Sequence, residues 1–197
     1  MLGRLLCAGV LAGYLIYTVY MSLLISVQDG NPGAEYIDAS HDGHINTSTS
    51  SIITINAAHS NSIPHRGVWI YIVDENDELL LLKRSTETVT CPNTWGFPGE
   101  HTKHNESYLD TAYRGVLEEL GLTRHHIIST KPLFKEPLYL DITYFGPRYK
   151  HDLQWSMSFL MRVKKEHIYK YNHESALMQW KPVSKVKFWM DEVPSRV

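Results

Sequence analysis

The spacing of apolar side chains changes several times along this chain, and each change predicts a different element. Leu5 to Val27 (LLCAGVLAGYLIYTVYMSLLISV) is apolar on every face and contains no charged residue. Its 23 residues are enough to cross a bilayer, which takes about 20, so one N-terminal transmembrane helix is expected over 5–27. A cleaved signal peptide is the alternative. Against it, the run is longer than the ~7–15 apolar residues of a signal core, and no clear small-residue cleavage site follows. From Gln28 to about Ser62 the chain turns to Asn, Ser, Thr, Gly and His with no helical period. This reads as a flexible spacer over 28–62, although Ser51–Ile55 (SIITI) also suits a short strand.

Past Pro64 the pattern becomes that of a folded domain, 63–197. Val68–Val73 is β-branched and aromatic, Asp74–Asp77 is a turn, and Glu78–Arg84 returns as a second strand to close a hairpin. After Glu106 the period becomes helical. Ser107 is placed to cap, with Asp110 three residues on. Leu109, Ala112, Val116, Leu117 and Leu120 predict the buried stripe, and Gly121 the stop. Leu138–Phe145, Trp155–Val163 and Gln179–Val183 read as strands, with a linker at 172–174 and a C-terminal helix from about Ser184. This order predicts an α/β sandwich around a mixed sheet.

Composition adds limits. With 197 residues the chain holds one ordinary domain and an appendage. A formal net charge of −2 gives no electrostatic reason to expect nucleic-acid binding. The 11 histidines are scattered without a C-x-x-C or H-E-x-x-H pattern, so a structural zinc is not expected. Cys7 lies in the apolar run and Cys91 far from it, so no disulfide is expected between them. Arg4 precedes the run, whereas Asp29, Glu35 and Asp38 follow it. The positive-inside rule then puts residues 1–4 in the cytosol and the domain in a lumen or outside. Asn46-Thr47-Ser48 and Asn105-Glu106-Ser107 would be glycosylation acceptors there.

Chemistry concentrates in residues 95–122, WGFPGEHTKHNESYLDTAYRGVLEELGL. Arg114 and Glu118 stand four apart on one helix and are expected to pair. Glu118 and Glu119 are adjacent carboxylates expected to project together from the exposed side, where they repel unless a cation lies between them. Mg2+ or Mn2+ favours such oxygen ligands and bridges substrate phosphates. Pro98-Gly99 lets backbone approach the same ion. The set suits attack of water on a diphosphate with the ion neutralising charge. Lys83 and Arg84 either reach solvent or touch phosphate. Trp69, Tyr71, Tyr139 and Tyr144 read as sheet-face residues or as a stack for a base.

This stretch resembles the Nudix box, a glycine, five residues, a glutamate, seven residues, then R-E-aliphatic-x-E-E-x-G-aliphatic. Glu106, Arg114, Val116, Glu118, Glu119, Gly121 and Leu122 match in register; Glu100 stands at the box glycine and Gly115 at the glutamate after the arginine. The resemblance covers about residues 64–190. It implies a Nudix-type α/β/α sandwich and hydrolysis of a diphosphate linkage in a nucleoside diphosphate derivative with Mg2+ or Mn2+. It also implies metal ligation by Glu118, Glu119, Glu106 and the Gly99 backbone, with Arg114 fixing the carboxylates. The glutamate missing at 115 often serves as general base, and Glu174, Asp152 and Glu100 are the candidates to replace it. A narrower likeness is to the isopentenyl-diphosphate isomerase branch. That likeness implies metal ligation by His65 and His101 with Asp152, although Gln154 stands where a second carboxylate is wanted and the isomerase cysteine has no counterpart. His101 is otherwise an ordinary solvated loop histidine. The partners implied are a small diphosphate and, through the N-terminal run, a membrane; the oligomeric state is not fixed. The competing reading is a catalytically lapsed binding module for a phosphorylated ligand or protein, which Gly115 keeps open.

Overall fold

The computed structural model of the protein describes residues 36–45, 52–88, 91–143, 151–168 and 174–185. The expected membrane helix over 5–27, the Asn46 acceptor, Tyr144, Asn172 and His173, and the C-terminal helix beyond Lys185 lie outside them. Among the described residues no helix is long and apolar enough to cross a membrane.

The centre of the fold is a mixed sheet in the order β10-β4-β3-β9-β7. Its strands are β3 (His65–Val73), β4 (Glu78–Arg84), β7 (Ile127–Pro132), β9 (His151–Val163) and β10 (Ser175–Pro182). β3 and β9 run parallel through nine residue pairs, from His65↔Gln154 to Val73↔Arg162. The neighbouring pairs are antiparallel. Short strands β5 (Trp95–Gly96) and β6 (Gly99–His101) pair with β4 and β3, and β8 (Leu138–Thr143) pairs with β9. The expected hairpin forms because the buried Asp74 organises its turn. Its Oδ1 accepts from the backbone N–H groups of Asn76 and Glu78 at 2.9 and 2.8 Å.

A two-residue period in the strands puts Val68, Ile70 and Ile72 of β3 on one face with Leu80, Leu82, Phe159, Met161 and Val163. Helix α2 (Tyr108–Leu120) covers that face with Ala112, Val116 and Leu120. Ser107 caps it as expected, accepting from Asp110 N, and Gly121 ends it at φ 70°. The stripe differs at two positions: Leu109 and Leu117 are 42% and 49% exposed, and Thr111 and Gly115 are buried instead. One residue turns a helix by about 100°, so an apolar residue adjacent to the stripe misses the sheet. The edge strand β7 is mostly exposed, so its apolar signal is weak.

The spacer expectation is corrected. Residues 36–45 and 52–62 are structured, as β1 (Tyr36–Asp38), β2 (Ile52–Thr54) and α1 (Ile55–Ser60). Ile37, Ile53, Ala58 and Ile63 form their own buried cluster. The four come from two strands, a helix and the segment between α1 and β3, so no single period announces them. The segment is bolted to the main sheet by Asp38. Its Oδ2 lies 3.5 Å from Arg66 Nη2 and accepts from Asn105 N at 3.0 Å. Its Oδ1 meets His104 Nδ1 at 2.5 Å. Asp38 and Arg66 are 3% and 1% exposed, and Arg66 also faces the Tyr108 ring, 5.4 Å from its centroid. Removing one member leaves the other charge buried, which costs about 3 kcal/mol. Asp38→Ala is therefore expected to lower the unfolding free energy by about 3 kcal/mol in a urea titration, and to raise amide exchange in 52–63 above the rest of the fold.

Candidate metal and diphosphate site

The box is held together by Arg114. Its Nε and Nη2 donate to the two oxygens of Glu106, each at 2.9 Å. Nη2 also donates to the His101 carbonyl at 2.6 Å. Nη1 donates to Glu118 at 3.2 Å and lies 3.3 Å from Glu100 Oε2. Burial alone would depress the guanidinium, but the surrounding carboxylates raise it further, Glu106 foremost. Glu106 also accepts from Lys103 N and Thr111 Oγ1. Burial opposes its ionisation, yet these donors and Arg114 hold it below the usual carboxylate range. Both Glu106 oxygens are thus committed to closing the 99–106 segment onto α2.

Glu118 and Glu119 do not project together. Glu118 turns to the rim, paired with Arg114 and 3.7 Å from Lys103 Nζ. Glu119 turns inward and accepts from the Gly99 N–H at 3.3 Å. Burial pushes its carboxyl up to about 8, helped by the charge of Glu100 and then Glu174, and opposed by the Gly99 N–H and Arg84. Glu119 thus sits on the Pro98-Gly99 turn, within electrostatic reach of Glu100, Glu174 and Arg84. Gly115 lies one helical turn before Glu119, buried against Ile70 and Glu100. A carboxyl raised first by burial and then by the charge of Glu100 and Glu174 is one whose ionisation a divalent cation would favour.

A second constellation lies at the opposite end of β6. His65 opens β3, His101 closes β6, Asp152 is second in β9, and α1 brings His59. One ligand atom from each of the four lies within 4.8 Å of the others. A tetrahedral ion with bonds of about 2.0–2.1 Å needs ligand atoms about 3.4 Å apart, a small contraction. Asp152 Oδ1 is 3.3 Å from His65 Nε2 and 3.6 Å from His59 Nε2. His65 Nδ1 is 3.0 Å from the Ile63 carbonyl, the outer contact that orients a ligating imidazole. Nε2 of His65 and of His101 is buried without a hydrogen-bond partner among the described residues. Burial lowers all three histidines, His101 most, where His65, His59 and Arg114 add to it; Asp152 partly offsets the fall at His59 and His65. Neutral imidazole is the ligating form.

Sequence reasoning missed His59, which stood in the stretch read as spacer, and the scatter of histidines concealed how three of them converge. The set is nitrogen-rich and fits Zn2+ or another transition ion better than Mg2+. Gln154 is buried nearby with its amide packed over Gly67, where a Cβ would fall 2.2 Å from Nε2. It adds no carboxylate. Cys91 is exposed.

On the sheet face beside the Pro98-Gly99 turn lies a cavity of about 370 Å3 lined by Trp69, Tyr71, Phe97, Phe134, Leu138, Leu140, Ser156 and Ser158. Trp69 pairs with Gly99 across β3 and β6, so the cavity adjoins the turn. Tyr139 lies outside it in a tilted contact with Trp155, ring centroids 5.0 Å apart and planes at 55°.

Residues 63–196 match the NUDIX domain family. A 56-residue stretch is 39% identical to the m7GpppN-mRNA hydrolase NUDT17 of Danio rerio; it covers 28% of this chain and only 19% of that protein's length. The fold is similar to DR0079 from Deinococcus radiodurans, with TM-score 0.57, 15% identity, and coverage of 80% of this chain and 89% of that one. It is also similar to a C. elegans Ap4A hydrolase, with TM-score 0.48, 18% identity, and coverage of 65% and 87%. The box, the mixed sheet and the match over 63–196 lead to one assignment: the chain belongs to the Nudix hydrolase superfamily.

Proposed function

We propose that this protein hydrolyses a diphosphate linkage in a nucleoside diphosphate derivative or related organic diphosphate, using a divalent metal. The observation that carries this reading is the Glu119 carboxylate set on the Gly99 N–H, with Glu100, Glu174 and Arg84 close enough for their charges to act on it. Glu119 and the Gly99 backbone are the oxygen ligands suited to Mg2+ or Mn2+. When bound, that ion supplies charge stabilisation to the diphosphate and its leaving phosphate. Glu174, beside Glu119, takes the proton of the attacking water. The water oxygen forms the new P–O bond, the bridging P–O bond breaks, and the leaving group keeps the bridging oxygen. Arg84, and Lys83 before it, meet phosphate oxygens. Glu118 stays at the rim as a positioning residue through Arg114 and Lys103. His59, His65, His101 and Asp152 would hold a separate transition ion, and with it α1 would be tied to the sheet. The aromatic cavity next to Gly99 receives the organic group.

The apolar run supports single-pass anchoring, with the N-terminus cytosolic and the domain lumenal or extracellular. Endoglycosidase treatment after expression in a secretory host is the check, and unchanged gel mobility counts against it. A second reading, a binding module for a phosphorylated ligand or protein, is favoured by Gly115 alone.

Three outcomes are expected. With the full chain in detergent and a panel of diphosphates, Mn2+ or Mg2+ supports turnover that Glu119→Gln lowers roughly a hundredfold; no turnover in the parent selects the binding module. Stability carries a second signature. Glu119 has a folded pKa of about 8 against 4.5 when exposed. Its contribution is fully present below pH 4.5 and is lost as pH rises to about 8. The metal-free protein should lose thermal midpoint over that window relative to Glu119→Gln, and saturating Mn2+ should remove the difference. The lowered histidines act with the opposite sign in both proteins, so the comparison isolates Glu119. Finally, the protein purified with Zn2+ should retain about one tightly held equivalent by elemental analysis, and Asp152→Ala should retain little.

A further inference from the structure

We infer that Glu100 supplies the metal-binding carboxylate that the box lacks at Gly115, so that this chain has exchanged the two residues of one contacting pair. The inference rests on the hydrolase reading for the ion's purpose, but its geometry stands independently. The Nudix pattern has glycine where Glu100 stands and glutamate where Gly115 stands. These two departures, 15 positions apart in the sequence, touch in the fold. A Cβ built on Gly115 lies 3.1 Å from Glu100 Cβ and 3.6 Å from its Cγ, with Ile70 Cδ1 at 3.3 Å. Side chains at both positions would crowd each other. With side chains at both, one must give by a few tenths of an ångström; here the helical position is the small one.

A mid-helix glycine is less favourable than alanine, and the Glu100 side chain over it explains why the position stays small. Glu100 crosses the space over Gly115 and places its carboxylate between Arg114 Nη1, at 3.3 Å, and the backbone N–H of His101, which donates to Oε1 at 2.9 Å. The same N–H side of this short strand, at Gly99, holds Glu119. Glu100 also belongs to β6, the strand that carries the Gly99 backbone. The exchange thus moves one ligand from the helix to the turn while keeping it beside Glu119.

The test reads metal binding rather than turnover. One equivalent of Zn2+ is added to the full chain in detergent to fill the histidine cluster, since imidazole favours Zn2+ over Mn2+. Mn2+ is then titrated by electron paramagnetic resonance. Glu100→Gln should weaken Mn2+ binding about tenfold with little change in thermal midpoint. Glu100→Gly combined with Gly115→Glu should return the affinity to within about threefold of the parent, because it restores the usual arrangement. Gly115→Glu alone should lower the midpoint by crowding and bind Mn2+ no better than the parent. The inference is overturned if the parent binds no Mn2+, if Glu100→Gln binds it as the parent does, or if the double variant folds normally yet stays as weak as Glu100→Gln. Mn2+ held through Glu100 in a protein that cleaves no diphosphate would keep the inference and remove the hydrolase reading.

Discussion

One guanidinium fixes the geometry on which the box depends. Arg114 takes three carboxylates and a backbone carbonyl, drawn from the helix, from β6 and from the loop between them. Without that charge, Glu100, Glu106 and Glu118 would repel one another across a small volume. With it, the segment from Gly99 to Glu106 is pinned against α2, and Gly99 can present its N–H to Glu119. Pairing with Arg114 therefore lets negative charge gather at the box, where Glu119, buried near Glu100 and Glu174, remains incompletely compensated.

The parts of the fold that were legible in the sequence carry a long, single period. β3 and β4 show continuous β-branched or leucine runs, and α2 shows its cap, its stop and its spacing. Glu106 and Arg114 were legible as a pair because the box places them at a fixed separation, which the fold turns into a bidentate contact. Glu118 and Glu119 were misjudged because adjacency in sequence suggests a common direction. The helix instead gives them directions about 100° apart, one to the rim and one to the turn.

What was not legible depends on contacts between distant residues. β5 and β6 are two and three residues long, too short to show any period. The Ile37, Ile53, Ala58 and Ile63 cluster borrows one or two side chains from each of several pieces. The histidine site draws its four members from α1, β3, β6 and β9, and no local spacing announces a set spread over 59 to 152. The meaning of Gly115 was likewise hidden until the side chain above it was known to be Glu100.

The docking of β1 and α1 changes where this domain begins. The family match starts at residue 63, but Asp38 and His59 lie upstream of it. A fragment trimmed to the recognisable homology would retain every box residue while stripping Arg66 of its buried counter-ion and opening one wall of the histidine cage. The stretch that matches the family and the stretch that packs as one unit in this chain are therefore not the same length.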